Sequence, residues 1–243
     1  GARFVPEMAC LPLKITLGNL IQGYEQGADT VLMVGGCGPC RLGYYCEMQR
    51  EILKDIGYEM DFITLEVPDR DIVKFIRRIK KLIGDNDIVH ILKAVKNATQ
   101  VSIQVDELER LCFKTRPREI RKGDTDKLYS AFQKNVLNVN GSREIKNLAE
   151  KTAEEIAGIT VDMESRPLKI GIVGEIYTTI DAYTNFEIQL KLGKMGAEVE
   201  RSVTLSGWII EHILKKVIPI PRDLRYAEAA KPYLRTMIGG HAQ

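Results

Sequence analysis

Thr30-Val31-Leu32-Met33-Val34, running into Gly35-Gly36-Cys37-Gly38-Pro39-Cys40, decides how the rest of the chain is read. A short, unbroken apolar run predicts a strand buried on both faces. The glycine-rich stretch behind it predicts a tight loop. Upstream, Leu13, Leu17, Leu20, Ile21 and Tyr24 recur at helical spacing behind Cys10-Leu11-Pro12. Pro12 suits a first helical position, where its missing N–H costs nothing, and Gly27 ends the run. Downstream, residues 42–56 predict a helix closed by Gly57, and residues 60–65 a second strand. Helix, strand, helix, strand is the rhythm of a parallel sheet with crossover helices.

A helical stretch follows. Ile72, Ile76, Ile79 and Ile83 mark one helix face. Ile88, Leu92, Val95, Ala98, Ser102, Val105, Leu108 and Cys112 continue a stripe through a longer helix, which Arg116-Pro117 closes. Residues 87–92 could alternatively form a strand; the continuing stripe favours helix. Asp124 and Ser142 are expected as N-caps of helices over 125–138 and 143–157. Ser165-Arg166-Pro167 marks a boundary. Residues 169–173 then predict a new buried strand, 185–195 a helix ended by Gly196, and 197–202 another strand.

The chain has 243 residues, enough for one large domain or two small ones and for a core without disulfides. Lys plus Arg number 35 and Asp plus Glu 33, a net charge of +2, which excludes binding to nucleic acid driven by overall charge and leaves room for a local basic patch. No apolar run is long enough to span a bilayer. The first residue is Gly1, and Gly239-Gly240-His241 at the far end reads as a turn leading onward. The expectation is a chain cut from a longer one, truncated at both ends, with site residues among the missing parts.

Three of the five cysteines fall between Cys37 and Cys46. Nothing in the sequence marks the chain for secretion, and on the expectation of a cytoplasmic protein, clustered thiols point to metal or redox chemistry. Cys10 lies at a helix start, and Cys37 and Cys40 lie where a strand gives way to a helix. In an open parallel sheet both places sit at the carboxyl edge, the usual ligand crevice. Helix N-termini favour negative charge, and thiolate is the form that binds iron or zinc. Gly35, Gly36 and Gly38 let the backbone approach a bulky inorganic group and offer it N–H donors. Four readings compete: an iron–sulfur cluster held by Cys10, Cys37 and Cys40; a structural zinc, for which only one C-x2-C pair exists; a Cys37/Cys40 redox dithiol; and inert, packed thiols. Cys46 faces elsewhere on its helix, and Cys112 belongs to an apolar stripe, so neither is expected as a ligand.

Pro6-Glu7-Met8-Ala9-Cys10-Leu11-Pro12-Leu13-Lys14 with Leu17-Gly18-Asn19, and Gly35-Gly36-Cys37-Gly38-Pro39-Cys40-Arg41-Leu42-Gly43-Tyr44-Tyr45, resemble the 2-hydroxyacyl-CoA dehydratase and benzoyl-CoA reductase superfamily, in its activase-associated branch. Gly174-Glu175-Ile176-Tyr177, with Asp181 and Asn185, is a further match. Ala182 departs from it, standing where relatives often carry Pro. The resemblance implies two Rossmann-like domains around an iron–sulfur cluster, of the [4Fe-4S] type. It implies an ATP-dependent activase, itself an iron–sulfur protein, as the donor of a low-potential electron. It implies an acyl-CoA substrate and anaerobic electron transfer, as in an (R)-2-hydroxyacyl-CoA dehydratase-like lyase or an ATP-dependent reductase component. Cys10 and Cys37 match ligand positions, Cys40 is the branch's further candidate, and another cysteine belongs beyond Gly240-His241, where the chain stops.

The expected fold is therefore α/β: two Rossmann-like parallel-sheet units with a helical insert. Residues 1–68 form the cysteine-bearing unit, 69–166 the insert and 167–243 the incomplete second unit. Glu175 and Tyr177, behind a strand's carboxyl end, join Gly35, Gly36 and Gly38 as candidate cofactor contacts; a capping role is the alternative for Glu175. The basic run Lys74, Arg77, Arg78, Lys80 and Lys81 is read as the solvated back of a helix, with a docking face for an acidic partner or the phosphates of coenzyme A as the minor alternative. His241 is a minor ligand candidate, and His90 and His212 are read as surface or packed residues. Trp208 is expected to anchor a helix. Catalytic residues are not assigned. Partners are the activase, an acyl-CoA and further subunits of a homo- or hetero-oligomer. The alternative functions are a non-catalytic accessory subunit that docks an activase-type partner, and a thiol–disulfide oxidoreductase using Cys37 and Cys40.

Overall fold

The structure is a computed structural model, and it describes residues 1–35, 42–66 and 88–210. The expectations placed on the Ile72–Ile83 helix, its basic run, His212 and His241 lie outside the described residues. The chain divides into two compact units, Gly1–Ile91 and Leu92–Gln243. Each is mixed α/β, and among the described residues each contains one pair of parallel strands.

In the first unit, α1 (Leu11–Glu25) starts one residue after Cys10. Pro12 therefore takes the second helical position, where an intrahelical N–H partner is still not needed. Gly27, at φ +95°, turns the chain out of the helix, a backbone state that costs glycine little. Strand β1 (Thr30–Gly35), helix α2 (Leu42–Asp55) and strand β2 (Asp61–Glu66) follow. The strands pair in parallel from Thr30↔Asp61 to Gly35↔Glu66, as the rhythm of elements predicts. Leu13, Leu17, Tyr45 and Leu53 form the buried core, with Met33, Ile52 and Phe62 packed against it. Burying each such side chain is worth roughly 1.5–3 kcal/mol.

The expectation that β1 is buried on both faces is corrected. Val31 is buried and Met33 reaches the core, but Leu32 between them is 58% exposed. Side chains alternate along a strand, and α1 and α2 pack against the Met33 face.

Helix α3 (Ile88–Thr115) starts at the end of the first unit, supplies the first helix of the second, and is helical over residues 88–92 of the segment that could have been a strand. It stops before Arg116-Pro117, as expected. Among the described side chains of its stripe, Leu108 and Cys112 are buried, whereas Val95 and Ala98 are exposed. Helices α4 (Asp124–Asn135) and α5 (Gly141–Ala157) close over Leu108 and Cys112 through Phe132, Ala149 and Ile156.

Both expected caps are corrected. Gly123, at φ +95°, occupies the α4 cap position, and Asp124 is already helical. The capping acceptor comes from outside the helix: the buried Glu119 carboxylate accepts from Gly123 N at 2.6 Å, Thr125 N at 2.9 Å and Thr125 Oγ1 at 2.7 Å. At α5 the cap residue is Asn140, not Ser142, and its N–H donates to Glu144 Oε2 at 2.9 Å.

Strand β3 (Lys169–Ile172), short helices α6 (Ile176–Ile180) and α7 (Ile188–Lys194), strand β4 (Glu198–Arg201) and α8 (Leu205–Ile209) complete the described chain. Strand β3 is not buried as expected; Lys169 and Gly171 are exposed and Ile170 and Ile172 only half-buried. The helix expected from 185 begins at Ile188, because Phe186 and Glu187 both turn at φ +56°. Trp208 lies on α8, half-buried.

The small sheet is fixed by charge. Arg118 pairs with Glu198 at 2.5 Å, and Arg201 pairs with Glu109 of α3 while its guanidinium lies 5.3 Å from the Phe113 ring. Glu109 also accepts from the Tyr129 hydroxyl at 2.7 Å. Asp106 accepts from Ser206 N at 2.7 Å.

Candidate functional site

Cys10 is the N-cap residue of α1, with extended backbone (φ −64°, ψ 150°). Its side chain makes no capping hydrogen bond. The sulfur accepts a hydrogen bond from the Tyr45 hydroxyl at 3.1 Å, across 35 residues of sequence. Tyr45 is the fourth residue of α2, and its ring is buried among core leucines. It belongs to an inward stripe of Tyr45, Gln49 and Leu53 at helical spacing. The half-buried Cys10 thiol and the first turn of α2 thus lie together at one end of the first unit.

The β1–α2 connection leaves β1 at Gly35 and enters α2 at Leu42. Gly36, Cys37, Gly38 and Cys40 belong to it and lie outside the described residues. Gly35 is the last residue of β1, paired with Glu66.

The other two described cysteines are chemically different. Cys46 is buried, with its sulfur 2.9 Å from Thr64 Oγ1. Cys112 is buried against Leu108, Phe132 and Ala149, and burial pushes its thiol up to about 12, against the opposing pull of Arg116. A thiol held neutral in an apolar core is neither nucleophile nor ligand at ordinary pH. Of the three free cysteines among the described residues, Cys10 alone is more than marginally accessible. No group of three or more His, Cys, Asp and Glu side chains with metal-binding geometry occurs among the described residues.

Glu175 follows the carboxyl end of β3 and is the N-cap of α6; its Oε2 accepts from Thr178 N at 3.0 Å. One carboxylate oxygen is thus engaged in the capping role, and the side chain as a whole is exposed. Tyr177 lies half-buried on the same short helix. Asp181 and Asn185 tie down the next turn. Asp181 Oδ1 accepts from Thr184 N at 2.7 Å, and Asn185 Nδ2 donates to the Thr179 carbonyl at 3.3 Å. His90 is exposed on α3.

Two features carry no expectation from sequence. Tyr45 stands inside the quoted motif, and its signal is its place on the buried α2 stripe. The Glu109–Arg201–Tyr129 cluster joins residues up to 92 apart and has no local signature. Among the described residues no helix is long and apolar enough to cross a membrane. Comparison of the chain with known protein families, with curated proteins and with solved structures returns no match.

Proposed function

We propose that the chain is an iron–sulfur electron carrier resembling the components of 2-hydroxyacyl-CoA dehydratases. It would take a low-potential electron from an ATP-dependent, activase-like iron–sulfur protein and pass it to a bound substrate, an acyl-CoA thioester by the same resemblance. The cytoplasm is the proposed location, with further subunits as partners. The observation that supports this reading is the contact between the α1 cap and α2, Tyr45 Oη to Cys10 Sγ at 3.1 Å, made by a residue that follows Cys40 closely in sequence.

Cys10, the one candidate ligand among the described residues, supports the reading by its chemistry. Cys10 is accessible, free of a disulfide and located at the N-terminus of a 15-residue helix, where partial positive charge favours an anionic ligand. Cys46 and Cys112 are committed to packing. Cys10, Cys37 and Cys40 would hold the cluster, and the backbone at Gly35, Gly36 and Gly38 would bring N–H donors to it. When bound, such a cluster supplies one-electron chemistry at low potential. The chain's own part is to fix the sulfurs and exclude water on the core side. The Rossmann-like reading of the two units draws support from their parallel strand pairs, each joined by helical crossover segments.

Iron and sulfide analysis of the full chain, prepared anaerobically, tests the proposal. Iron and acid-labile sulfide in near-equal amounts, lost in Cys10→Ala, is the expected result. Iron-free protein holding zinc, or one whose Cys37 and Cys40 cycle through a reversible disulfide, overturns it. A cluster that takes no electron from an activase-type donor supports the accessory-subunit role instead.

A further inference from the structure

We infer that the loop between α6 and α7 is a docking site for a lysine- or arginine-bearing segment of another protein, received on the exposed rings of Tyr183 and Phe186 beside Glu187. This surface belongs to the second unit and does not depend on the iron–sulfur reading. Tyr183 is 81% exposed and Phe186 77%. Inward, the same stretch buries the opposite kind of side chain: from 179 to 189 the buried residues are Thr179, Thr184 and Gln189, all polar. Gln189 Nε2 donates to the Thr179 carbonyl at 2.6 Å, Asn185 Nδ2 donates to the same carbonyl at 3.3 Å, and Asp181 Oδ1 accepts from Thr184 N at 2.7 Å. These ties hold the loop from within, so the rings outside stand on a fixed base. Phe186 and Glu187 both sit at φ +56°, a left-handed state that a bulky residue seldom takes. Backbone held in such a state gathers at segments that contact a ligand.

Charge decides what the rings receive. From Ile170 to Leu190 the chain carries Glu175, Asp181 and Glu187 and no lysine, arginine or histidine; the flanking Lys169 and Lys191 stand on β3 and α7. Glu187 is exposed and in no ion pair among the described residues, and Glu175 is exposed with only Oε2 spent on its cap. A phosphate group or an anionic lipid surface is repelled by such a stretch. A guanidinium or ammonium group is drawn both to the face of an aromatic ring and to a carboxylate, and the planar guanidinium also stacks on the ring. Single exposed apolar residues are ordinary on any surface. Two aromatic rings three residues apart, on a tied loop with an unpaired carboxylate next to them, are a narrower combination, and it is the one that suits a cationic side chain.

The test uses the full chain and dye-labelled hexa-arginine, followed by fluorescence anisotropy at low salt, where saturable binding is expected. Tyr183→Ala and Phe186→Ala should each weaken binding about threefold, the loss of one exposed cation–π contact. Tyr183→Leu and Phe186→Leu keep apolar bulk without the aromatic face and should lose as much; they also keep the test open if an alanine variant does not fold. Glu187→Gln should weaken binding about twofold at low salt, with the difference gone at about 0.5 M salt. Glu154→Gln, which alters an exposed carboxylate on α5, should leave it unchanged. Absence of saturable binding overturns the proposal. Binding that survives the alanine substitutions assigns the attraction to acidity in general, and binding that survives only the leucine ones assigns it to plain apolar contact; either overturns it. Capture of the chain by neutral phosphatidylcholine vesicles through the same two rings, with hexa-arginine ignored, assigns them to a lipid surface and overturns it as well.

Discussion

The two units use one strand arrangement and hold it by opposite means. In the first, six-residue strands lie on a core of Leu13, Leu17, Tyr45 and Leu53, and buried polar links are few, such as Gln49 Nε2 donating to Thr16 Oγ1 at 2.6 Å. In the second, the strands have four residues each, and Ala197 and Val199 are the only buried apolar residues they and their flanks contribute among the described ones. Strand β4 is secured to α3 by Arg201–Glu109 and to the segment behind α3 by Arg118–Glu198. A sheet that buries little apolar area needs directional contacts to hold its place, and charged side chains on a neighbouring helix supply them. The lesson is that parallel pairing alone does not set how a βαβ segment is stabilised.

Breaking the charged anchor should have the largest effect. Glu109→Ala leaves the nearly buried Arg201 guanidinium and the Tyr129 hydroxyl without their acceptor, and should cost about 3–5 kcal/mol in urea denaturation. A loss below about 1 kcal/mol would show that the small sheet is held by packing after all. The matching cut in the first unit is Leu17→Ala, at a fully buried site, with an expected cost of about 2–4 kcal/mol. That loss should barely respond to added salt, because it is a transfer and cavity effect rather than a charge effect.

A smaller effect separates the units by pH. Burial raises the Cys112 thiol from 9.0 to about 12 in the folded chain. The neutral thiol therefore contributes stability that is fully present below about pH 9 and is lost as pH rises toward about 12. Tyr129 is also pushed upward, first by burial and then by Glu109, and acts in the same direction at higher pH. Denaturation at about pH 8 and about pH 10 should show this alkaline loss, and Cys112→Val should lessen it. An unchanged pH slope in the variant would assign the loss to other groups. The smallest effect is expected for Gln49→Leu. Gln49 is fully buried and its Oε1 has no hydrogen-bond partner, so deleting both the single bond and the stranded carbonyl should shift stability by no more than about 1 kcal/mol. A larger loss would show that the first unit also depends on a polar tie.

Much of the element order is legible because it is written locally. Short apolar runs bounded by Gly27, Gly57 and Gly196 mark strands and helix ends, and all three glycines take positive φ. Cys112 belongs to the core, as its stripe indicates. What is not legible depends on distant partners. Asp124 is a sound cap by composition, yet Glu119 reaches the helix from before it and leaves Asp124 paired with Arg121 at 2.6 Å. The burial of β1 and β3 depends on how many layers cover a sheet, which apolar content alone does not reveal. In the candidate site, the helix start at Cys10 is local and readable, whereas the Tyr45 hydroxyl on its sulfur needs two helices to have met.

Glu119 has a consequence for how the second unit opens. Its carboxylate, 3% exposed, serves the start of α4, while its backbone forms an antiparallel bridge to Val161, flanked by Ile120 N to Thr160 O and Asp162 N to Arg118 O. Residues 116–123 are thereby clamped at both main chain and side chain. Their amide protons should exchange with deuterium in step with those of residues 160–162, as one cooperative patch, and a protease should find no foothold there until that patch opens as a whole.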